Sequence, residues 1–312
     1  TARGFNFKAT GNHGVLTVDY KTRKVQKNTW KAVEDLIPGD KIVLHNHLNL
    51  NWKGRGSKEE GWLLGNLLGD GNIEKSGKAN LDYWGDNQAP MMEYAVNLVR
   101  GAVGGRSNLE GHVSKTGYAR VGSANLGKLA TAYNLTHDQK EITQSIEETS
   151  SNFHSGFLSG WFDADGSVQG NQLKGVSVRL SSNSISNLES AQRMLAHLGI
   201  ISSIYKNRRQ GGLRSLPDGK GSYKAYWCEP NHELIVTGQN IATFKERVSF
   251  KDSAKQSKLE ILLNKYERNL NRESFSTEIS EILPVGKKEV YDCRVPNINA
   301  FDGNGCYLHN CG

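Results

Sequence analysis

The chain has 312 residues and a net charge of +7, a length that allows two or more domains with sizeable cores. It contains no signal peptide and no apolar run long enough to span a membrane, and its four cysteines form no C-x-x-C pair, which disfavours a membrane protein and a cysteine-bound zinc site. The basic excess favours polyanionic partners. The expected location is intracellular, in the cytoplasm, with reduced thiols.

The first predicted elements are short β-strands near the N-terminus. Residues 14–18 form one strand-like segment, and a turn at residues 36–40 leads into a second segment at residues 41–44. Thr10 and His13 stand just before the first strand. A hydroxyl and an imidazole therefore lie three residues apart where the chain enters a β-structure.

An eleven-residue pattern then occurs twice, as GWLLGNLLGDG at residues 61–71 and as GFLSGWFDADG at residues 156–166, 95 positions later. The constant register predicts a duplicated, pseudo-twofold unit whose two copies meet at these segments. Glycines at positions i and i+4 of each copy predict two buried helices whose backbones approach closely.

Each copy ends in an aspartate followed by a glycine, at Asp70 and Asp165. The glycines are predicted to end the helices in the left-handed conformation. A carboxylate at the negative end of a helix dipole is favourable when a cation is bound, and two such carboxylates suit metal-dependent chemistry on phosphate. The alternative is two ordinary buried helices with capping glycines, which the constant register makes the weaker interpretation.

Strands and further helices follow each copy. Helices are predicted at residues 91–99 and 188–198, and strands at residues 117–123 and 176–181. These elements predict one αββαββ-like unit used twice. Its strands carry the basic residues Lys115, Arg120 and Arg179, which are candidate contacts for a polyanion such as DNA.

A basic stretch in the second half of the chain is broken by glycines and a proline and flanked by aromatic residues. It predicts a long β-hairpin or ribbon that fits a major groove. A solvated loop is the alternative, and charge alone does not separate the two. The basic residues are Lys206, Arg208, Arg209, Arg214, Lys220 and Lys224. A charged helix around residues 259–269 is predicted to return the chain to the strands of the chain ends.

At the C-terminus, strands are predicted at residues 290–296 and 306–308, and the chain ends in His309, Asn310, Cys311 and Gly312. An asparagine amide can attack its own backbone carbonyl and break the next peptide bond. A neighbouring histidine can move the protons, and a following cysteine can hold a thioester. Taken alone, the tripeptide His-Asn-Cys would be interpreted as a chance sequence in a loop. Predicted strands at both chain ends are a second observation, and they indicate one discontinuous β domain with another domain inserted.

The doubled pattern resembles the LAGLIDADG homing endonucleases of the double-motif class, which act as monomers. Residues 158–166 match closely and residues 63–71 more loosely. The resemblance implies that Asp70 and Asp165 bind Mg²⁺ or Mn²⁺, which drives double-strand DNA cleavage. The position two residues before the terminal acid is Asp163 in one copy and Leu68 in the other. This difference does not change the two residues implied to bind metal.

The same resemblance implies a lysine late in each repeat. Lys140 stands at the matching place in the first repeat. Lys255 is the best candidate in the second repeat, and its close rivals are Lys251 and Lys258. A cation beside the scissile phosphate would stabilise the transition state and help to orient or deprotonate water.

The whole chain resembles an intein, a self-splicing protein of the Hint fold, with the endonuclease inserted. Thr10 and His13 match the T-x-x-H motif that activates the N-terminal splice junction. Asp292 stands at the position that couples the cleavages, His309 and Asn310 match the terminal His-Asn pair, and Cys311 would begin the downstream host protein. These residues, with the acids and lysines above, are the implied catalytic set.

The implied fold class is α+β, a pseudo-twofold duplicated LAGLIDADG αββαββ saddle inserted into an all-β Hint domain. The predicted boundaries are residues 1–52 and 271–310 for the splicing domain, 53–270 for the endonuclease, and 311–312 for the start of the C-extein. Within the endonuclease, the repeats span residues 57–145 and 152–265. The implied partners are double-stranded DNA and the host exteins.

Two positions depart from the intein pattern. The first splicing nucleophile normally precedes T-x-x-H by several dozen residues, whereas Thr10 stands near the start of this sequence. We therefore expect an N-terminally truncated intein or the C-terminal partner of a split gene, unable to complete splicing without a missing N-terminal fragment. Asn299 stands where a histidine usually precedes Phe301, and because asparagine does not shuttle protons, we expect slower cyclisation with His309 as the main acid–base group.

Two other functions use the same scaffold. A DNA-binding regulator would keep the saddle without cutting, but the presence of both Asp70 and Asp165 argues against it. An RNA maturase is disfavoured because maturases lack flanking splicing motifs. Metal-dependent DNA cleavage separates the endonuclease from both.

Overall fold

The computed structural model describes residues 1–22, 25–114, 117–171, 173, 175–217, 222–291 and 293–310. Over these residues the chain is a mixed α+β protein with three antiparallel sheets and a separate two-stranded ribbon. The α+β class predicted from the sequence is confirmed. None of the helices described is long and apolar enough to cross a membrane.

The elements follow one another in four groups along the chain. The N-terminal segment contains β1 (Gly14–Lys21), β2 (Gln26–Ala32) and β3 (Lys41–Val43). The first repeat contains α1 (Lys58–Asp70), β4 (Gly71–Ile73), β5 (Ala79–Trp84), α2 (Gln88–Ala102), β6 (His112–Val113), β7 (Tyr118–Ser123) and α3 (Ala124–Ala132), and a short α4 (Gln144–Glu147) follows. The second repeat contains α5 (Ser151–Asp165), β8 (Gly166–Asn171), β9 (Gly175–Ser182), α6 (Ile185–His197), β10 (Ser202–Arg209), β11 (Gly212–Pro217), β12 (Tyr223–Cys228), β13 (Asn231–Thr237), α7 (Asn240–Arg247) and α8 (Ser253–Asn264). The C-terminal segment contains β14 (Ser276–Glu278), β15 (Phe301–Gly303) and β16 (Cys306–Leu308).

Strands from both chain ends form one sheet in the order β14-β3-β1-β16-β15, and β2 also pairs with β1. Val15 pairs with Leu308 and Thr17 pairs with Ile42, so β1 lies between N-terminal and C-terminal strands. This end sheet has its own apolar core, to which Ala196 of the second repeat also contributes.

The two repeats have the same topology. Their sheets run in the orders β4-β5-β7-β6 and β8-β9-β13-β10, so each strand of the first repeat has an equivalent in the second. The ribbon β11–β12 is an insertion between β10 and β13 of the second repeat. A single large core joins the two sheets through the central helices α1 and α5.

The packing of α1 on α5 explains the small residues of the doubled pattern. A Cβ at Gly65 would collide with the carbonyl oxygen of Phe157, and a Cβ at Gly160 would collide with that of Trp62. Phe157 follows Trp62 by 95 positions, as Gly160 follows Gly65. The contact is therefore reciprocal, as a pseudo-twofold interface requires.

Both central helices begin and end with defined chemistry. Ser57 and Glu60 form a capping box at the start of α1, and Ser150 accepts from the backbone of Phe153 at the start of α5. The predicted left-handed glycines at the ends were wrong, because Gly71 (φ −94°) and Gly166 (φ −80°) are extended. The chain enters a strand directly, and a Cβ at Gly71 would lie 2.8 Å from the Asn80 carbonyl oxygen.

Most of the other predicted elements are present, although some of their bounds differ by a few residues. The helices expected at residues 91–99 and 188–198 are α2 and α6, and the basic stretch forms an antiparallel ribbon in which Leu213 pairs with Trp227. The strand predicted at residues 290–296 was wrong for the residues described there, which carry no strand. Val290 and Tyr291 are 61% and 87% exposed, so no sheet face covers their apolar side chains.

Candidate metal and nucleic-acid site

Asp70 and Asp165 are the last residues of α1 and α5. Because the helices pack tightly along their length, their C-terminal ends lie side by side. A Cβ at Gly69 would lie 3.3 Å from Asp165 Oδ2, so the end of the first helix adjoins the acid of the second. Both aspartates are exposed, and a ligand from solvent can reach them.

The two carboxylates repel each other and are partly desolvated. Partial burial raises the pKa of Asp70, and the charge of Asp165 raises it further. Partial burial also raises the pKa of Asp165, whereas a hydrogen bond from Trp161 and the two nearby lysines oppose that shift. Adjacent carboxylates at the negative ends of two helix dipoles are stabilised by a bound cation.

One lysine lies against the end of each central helix. Lys140 Nζ donates to the carbonyl oxygens of Gly69 (3.3 Å) and Gly71 (2.6 Å). Lys255 Nζ donates to those of Phe162 (3.2 Å), Asp163 (2.5 Å) and Ala164 (3.2 Å). Burial lowers the pKa of both lysines, and the charges of both terminal aspartates raise it. Each acid therefore has a partly buried ammonium group beside it.

The rival lysines occupy other places. The backbone N–H of Lys251 donates to Asp163 Oδ1 at 2.9 Å, and its Nζ lies 6.0 Å from the centre of the Tyr94 ring. Lys258 is exposed on α8. Of the three candidates in the second repeat, Lys255 is the one that meets the α5 end.

Asp163 has a structural position that differs from that of the terminal acids. It is 6% exposed and accepts hydrogen bonds from Trp62 Nε1 (2.8 Å) and from the backbone N–H groups of Lys251 (2.9 Å) and Asp252 (3.0 Å). Burial raises its pKa to about 6, and these donors limit the shift. Asp163 thus connects α1 to the start of α8, the helix that carries Lys255.

The donor atoms at the helix ends suit a hard divalent cation. Asp70 and Asp165 offer carboxylate oxygens, which Mg²⁺ and Mn²⁺ prefer. Trp161 Nε1 donates to Asp165 Oδ2 at 2.9 Å and orients that carboxylate, as outer-shell donors do for metal ligands. The residues present therefore fit the divalent metal implied by the sequence pattern.

A large open cleft of about 1260 Å³ leads from this site to the base of the ribbon. Asp165, Lys140 and Trp227 all line this cleft. On the ribbon itself Leu213, Tyr223 and Trp227 are 72%, 73% and 63% exposed, and Arg214 and Lys224 are exposed beside them. The exposed cations of the ribbon can neutralise phosphates of a nucleic-acid backbone.

The predicted contacts on the saddle strands are engaged in ion pairs. Arg120 forms a bidentate pair with Asp82, at 2.6 and 2.8 Å. Arg179 Nη1 lies 3.1 Å from Glu233 Oε2. Lys206 pairs with Glu189 at 3.7 Å and Arg208 with Glu233 at 3.6 Å, and Arg209 is exposed. Because Arg179 and Arg208 share the one carboxylate of Glu233, this sheet keeps a positive charge in addition to that of the ribbon.

A second constellation lies in the end sheet. The backbone N–H of His13 donates to the Thr10 carbonyl at 3.1 Å, and the His13 ring lies edge-on to Phe301, with centroids 6.0 Å apart. The backbone N–H of His309 donates to the Gly14 carbonyl at 2.9 Å. Two motifs from opposite ends of the sequence thus meet at one edge of the sheet.

Asn310 is 3% exposed beside this edge. With its amide oriented to satisfy both neighbours, the nitrogen donates to the Asn299 carbonyl (3.2 Å) and the oxygen accepts from the Val295 N–H (3.2 Å). Asn299 contributes its backbone here, and its side-chain type does not enter the contact. Lys115, Lys220, Asp292 and Cys311, which the sequence also singled out, lie outside the described residues.

A comparison with protein families matches the second copy of the pattern. Residues 152–249 match the family model of the LAGLIDADG-like domain. These residues contain α5 and the strands and helices that follow it, which is most of the second repeat.

Two curated relatives align with nearly the full length of the chain at low identity. The chain is 24% identical over 332 aligned positions to the ribonucleoside-diphosphate reductase NrdEB subunit alpha of Bacillus subtilis, covering all of this chain and 30% of that protein. It is 24% identical over 341 positions to the replicative DNA helicase DnaB of Synechocystis, covering 99% of this chain and 35% of that protein. The chain thus spans about a third of the length of the relatives it matches.

A comparison with solved structures gives partial alignments, including alignments to a homing endonuclease. A mesophilic variant of I-DmoI aligns with 65% of this chain and 97% of its own, at 16% identity and a TM-score of 0.40. I-DmoI in complex with DNA and Mn aligns at 15% identity, a TM-score of 0.39 and coverages of 62% and 96%. The N-terminal LAGLIDADG domain of DUF199/WhiA aligns at 14% identity, a TM-score of 0.38 and coverages of 68% and 91%.

Sequence reasoning missed several residues that shape these sites. Trp161 orients Asp165, and the spacing of four residues within α5 was a signal for that contact. Asp163 was noted only as an asymmetry, although a buried acid in the last turn of a helix needs hydrogen-bond donors. His45, His47 and Asp302 were not considered as a group of metal ligands. The His-x-His spacing was the only sequence signal, and it marked the two histidines but not Asp302.

Proposed function

We propose that the chain is a divalent-metal-dependent, site-specific DNA endonuclease of the LAGLIDADG type. The observation that carries this proposal is the pair of exposed aspartates at adjacent helix ends, each with a lysine held against its own helix. The match of residues 152–249 to the LAGLIDADG-like domain supports it. A regulator that only binds DNA has no need of two mutually repelling carboxylates.

Five residues would have three roles in the cleavage reaction. A divalent ion held by Asp70 and Asp165 would activate water and stabilise charge on the scissile phosphate. Lys140 and Lys255 would place positive charge on either side of that phosphate. The carbonyl oxygens that these two lysines contact already hold their ammonium groups in place. Trp161 would keep the Asp165 carboxylate in its orientation.

DNA binding would combine the two sheets with the ribbon. The ribbon presents exposed cations and aromatic rings that can neutralise phosphates and pack against the groove. Arg120 and Arg179 are already paired with acids, so they would contact DNA only by exchanging a carboxylate for a phosphate or a base. We propose a long target site, read through many individually weak contacts.

Selection of cut DNA ends tests this function. The purified chain is incubated with a randomised double-stranded DNA library, with Mg²⁺ or with chelator, and the cut ends are sequenced. We expect Mg²⁺-dependent ends at one long site, absent with the Asp70→Asn variant. Enrichment of bound but uncut DNA would favour a DNA-binding regulator, and cleavage or processing of RNA alone would favour a maturase.

We also propose that the end sheet is an intein-type splicing domain. Its support is that the N–H of His309 donates to the carbonyl of Gly14, the residue after His13, and that the His13 ring lies against Phe301 of β15. The relatives add a second argument. The whole chain matches about a third of a reductase subunit and about a third of a helicase, and an inserted segment that is unrelated to either activity explains both matches.

The proposed reaction at this edge is cyclisation of Asn310. Its side-chain nitrogen would attack its own backbone carbonyl carbon, forming a succinimide, while the amine of Cys311 leaves with a proton supplied by His309. The buried, doubly hydrogen-bonded amide holds Asn310 in place for this step. The DNA partner, the exteins and any N-terminal fragment acting in trans are parts of the same proposal.

Intact-mass measurement over several days tests the cyclisation. We expect slow loss of the mass of Cys311 and Gly312 from the chain, slower still in His309→Ala and absent in Asn310→Ala. An unchanged mass in the wild type and in Asn310→Ala alike would contradict it without affecting the endonuclease proposal.

A further inference from the structure

Three metal-ligating side chains converge in the end sheet, outside the site at the central helices. His45 and His47 lie in the segment that follows β3, and Asp302 lies in β15. Leu44 bridges to Cys306, and the N–H of His45 donates to the Gly305 carbonyl at 2.9 Å. These contacts hold the two histidines beside the β15–β16 turn.

The ligand atoms of the three residues lie within 4.8 Å of one another. His47 Nε2 is 2.7 Å from Asp302 Oδ2, and the rings of His45 and His47 stack with centroids 5.1 Å apart and an interplanar angle of 4°. His47 is only 4% exposed. Alternate residues of an extended segment point to the same side, which explains the His-x-His spacing.

Neighbouring groups orient each of the three side chains. The backbone N–H of Gly305 donates to Asp302 Oδ1 at 2.5 Å, which leaves Oδ2 facing His47. The Phe301 carbonyl lies 3.3 Å from His45 Nε2. Backbone partners of this kind fix ligating carboxylates and imidazoles in metal sites. The His197 ring meets the His47 ring edge-on, with centroids 5.8 Å apart.

We propose that His45, His47 and Asp302 form a second metal site, which binds a zinc-class transition-metal ion. Two imidazoles and one carboxylate are a donor set that zinc accepts and that Mg²⁺ does not favour. A tetrahedral zinc ion holds its ligand atoms about 3.3 Å apart. The separations here run from 2.7 Å to at most 4.8 Å, so modest side-chain rotation brings all three to one ion.

The bound ion would connect parts of the chain that are distant in sequence. It would tie the segment after β3 to β15, and so link the N-terminal and C-terminal strands of the end sheet. Ligand binding to the folded state alone stabilises that state. The site therefore acts as a clamp on the domain that contains Asn310, independent of the DNA-cleavage site and of the function proposed for it.

Metal titration of the purified chain tests the proposal. The Asp70→Asn, Asp165→Asn double variant is used, so that the central carboxylates do not contribute. After chelation and dialysis, Zn²⁺ binding is measured by calorimetry and Co²⁺ binding by visible absorption. We expect one equivalent of Zn²⁺, a Co²⁺ spectrum of a low-coordinate site, and a higher melting temperature in saturating Zn²⁺.

Variants assign the ion to these residues. His47→Ala and Asp302→Asn are each expected to weaken Zn²⁺ binding by more than about tenfold, whereas His112→Ala, on exposed strand β6, is expected to bind as the parent does. Unchanged affinity in both variants overturns the proposal, and so does a parent protein that binds no Zn²⁺.

If these variants do not fold, the metal ligands can still be identified on the parent protein. X-ray absorption of the Zn²⁺ complex is expected to show two imidazoles at about 2.0 Å. A shell containing cysteine sulfur, or oxygen ligands alone, places the ion elsewhere and overturns the assignment.

Discussion

Lys140 Nζ lies 2.6 Å from the carbonyl oxygen of Gly71, directly after the helix that ends in Asp70. Lys255 meets the end of the second helix in the same manner, 3.2 Å from the Ala164 carbonyl. The two lysines are 115 positions apart, whereas the acids are 95 apart. The difference of 20 residues corresponds to the ribbon inserted between β10 and β13, so the lysines are equivalent in space despite their unequal spacing.

This equivalence predicts that Lys140→Met and Lys255→Met each slow DNA cleavage, by about 10²-fold, because each removes a preorganised charge beside the reacting phosphate. Single-turnover cleavage of the target duplex measures the effect. Lys258→Met is the matched control, since Lys258 is exposed on the same helix as Lys255. Equal slowing by all three variants would contradict the assignment.

Substitution of aspartate by asparagine should have opposite effects at neighbouring positions of α5. At Asp165 it removes a repelled carboxylate, so we expect loss of cleavage with unchanged or higher thermal stability. At Asp163 it turns an amide nitrogen toward groups that donate hydrogen bonds, and a loss of about 1–3 kcal/mol in the free energy of unfolding is expected. Chemical denaturation and cleavage assays of both variants separate the two roles; a destabilised Asp165→Asn would argue against the repulsion.

The close approach of the central helices predicts a strong effect of one methyl group. Gly65→Ala and Gly160→Ala place a Cβ against a backbone carbonyl of the other helix, so each should destabilise the protein by about 1–3 kcal/mol or more. Gly101→Ala is the control, because nothing lies within 4 Å of a Cβ there, and it should be neutral or stabilising by up to about 1 kcal/mol. Thermal denaturation compares the three.

The ribbon should supply much of the salt-dependent affinity for DNA. Arg214→Ala and Lys224→Ala are each expected to weaken binding and to lower the slope of log K against log salt by about 0.9 for each phosphate that is no longer neutralised. Lys27→Ala, on β2 of the end sheet, should leave the slope unchanged. Equilibrium binding at several salt concentrations is the measurement, and unchanged slopes for the ribbon variants would exclude the ribbon from the interface.

Metal binding at the helix ends should weaken on acidification at a higher pH than for ordinary carboxylates. Burial raises the pKa of both Asp70 and Asp165, so protons compete with the metal before the pH reaches the usual range of aspartate. Calorimetric titration with Mn²⁺ across a pH series measures this. In Asp165→Asn the neighbouring charge is absent, and the remaining shift of Asp70 should be smaller.

The sequence alone determined the central part of this protein. The eleven-residue pattern occurs twice, 95 positions apart, and it predicted two packed helices, their contact glycines and their terminal acids. This was possible because the close packing of two helices depends on a short local pattern of small residues. The helices and strands after each copy followed from local periodicity, whereas the basic stretch allowed either a ribbon or a solvated loop. These features are local, and neighbouring residues suffice to encode them.

The tertiary structure decided what depends on distant residues. It placed Lys255 rather than Lys251 or Lys258 at the α5 end, paired Arg120 and Arg179 with acids, and showed that the glycines after the acids are extended. His47 and Asp302 meet across 255 residues of sequence. No local pattern carries such a contact, because it arises only when the strands of both chain ends close into one sheet.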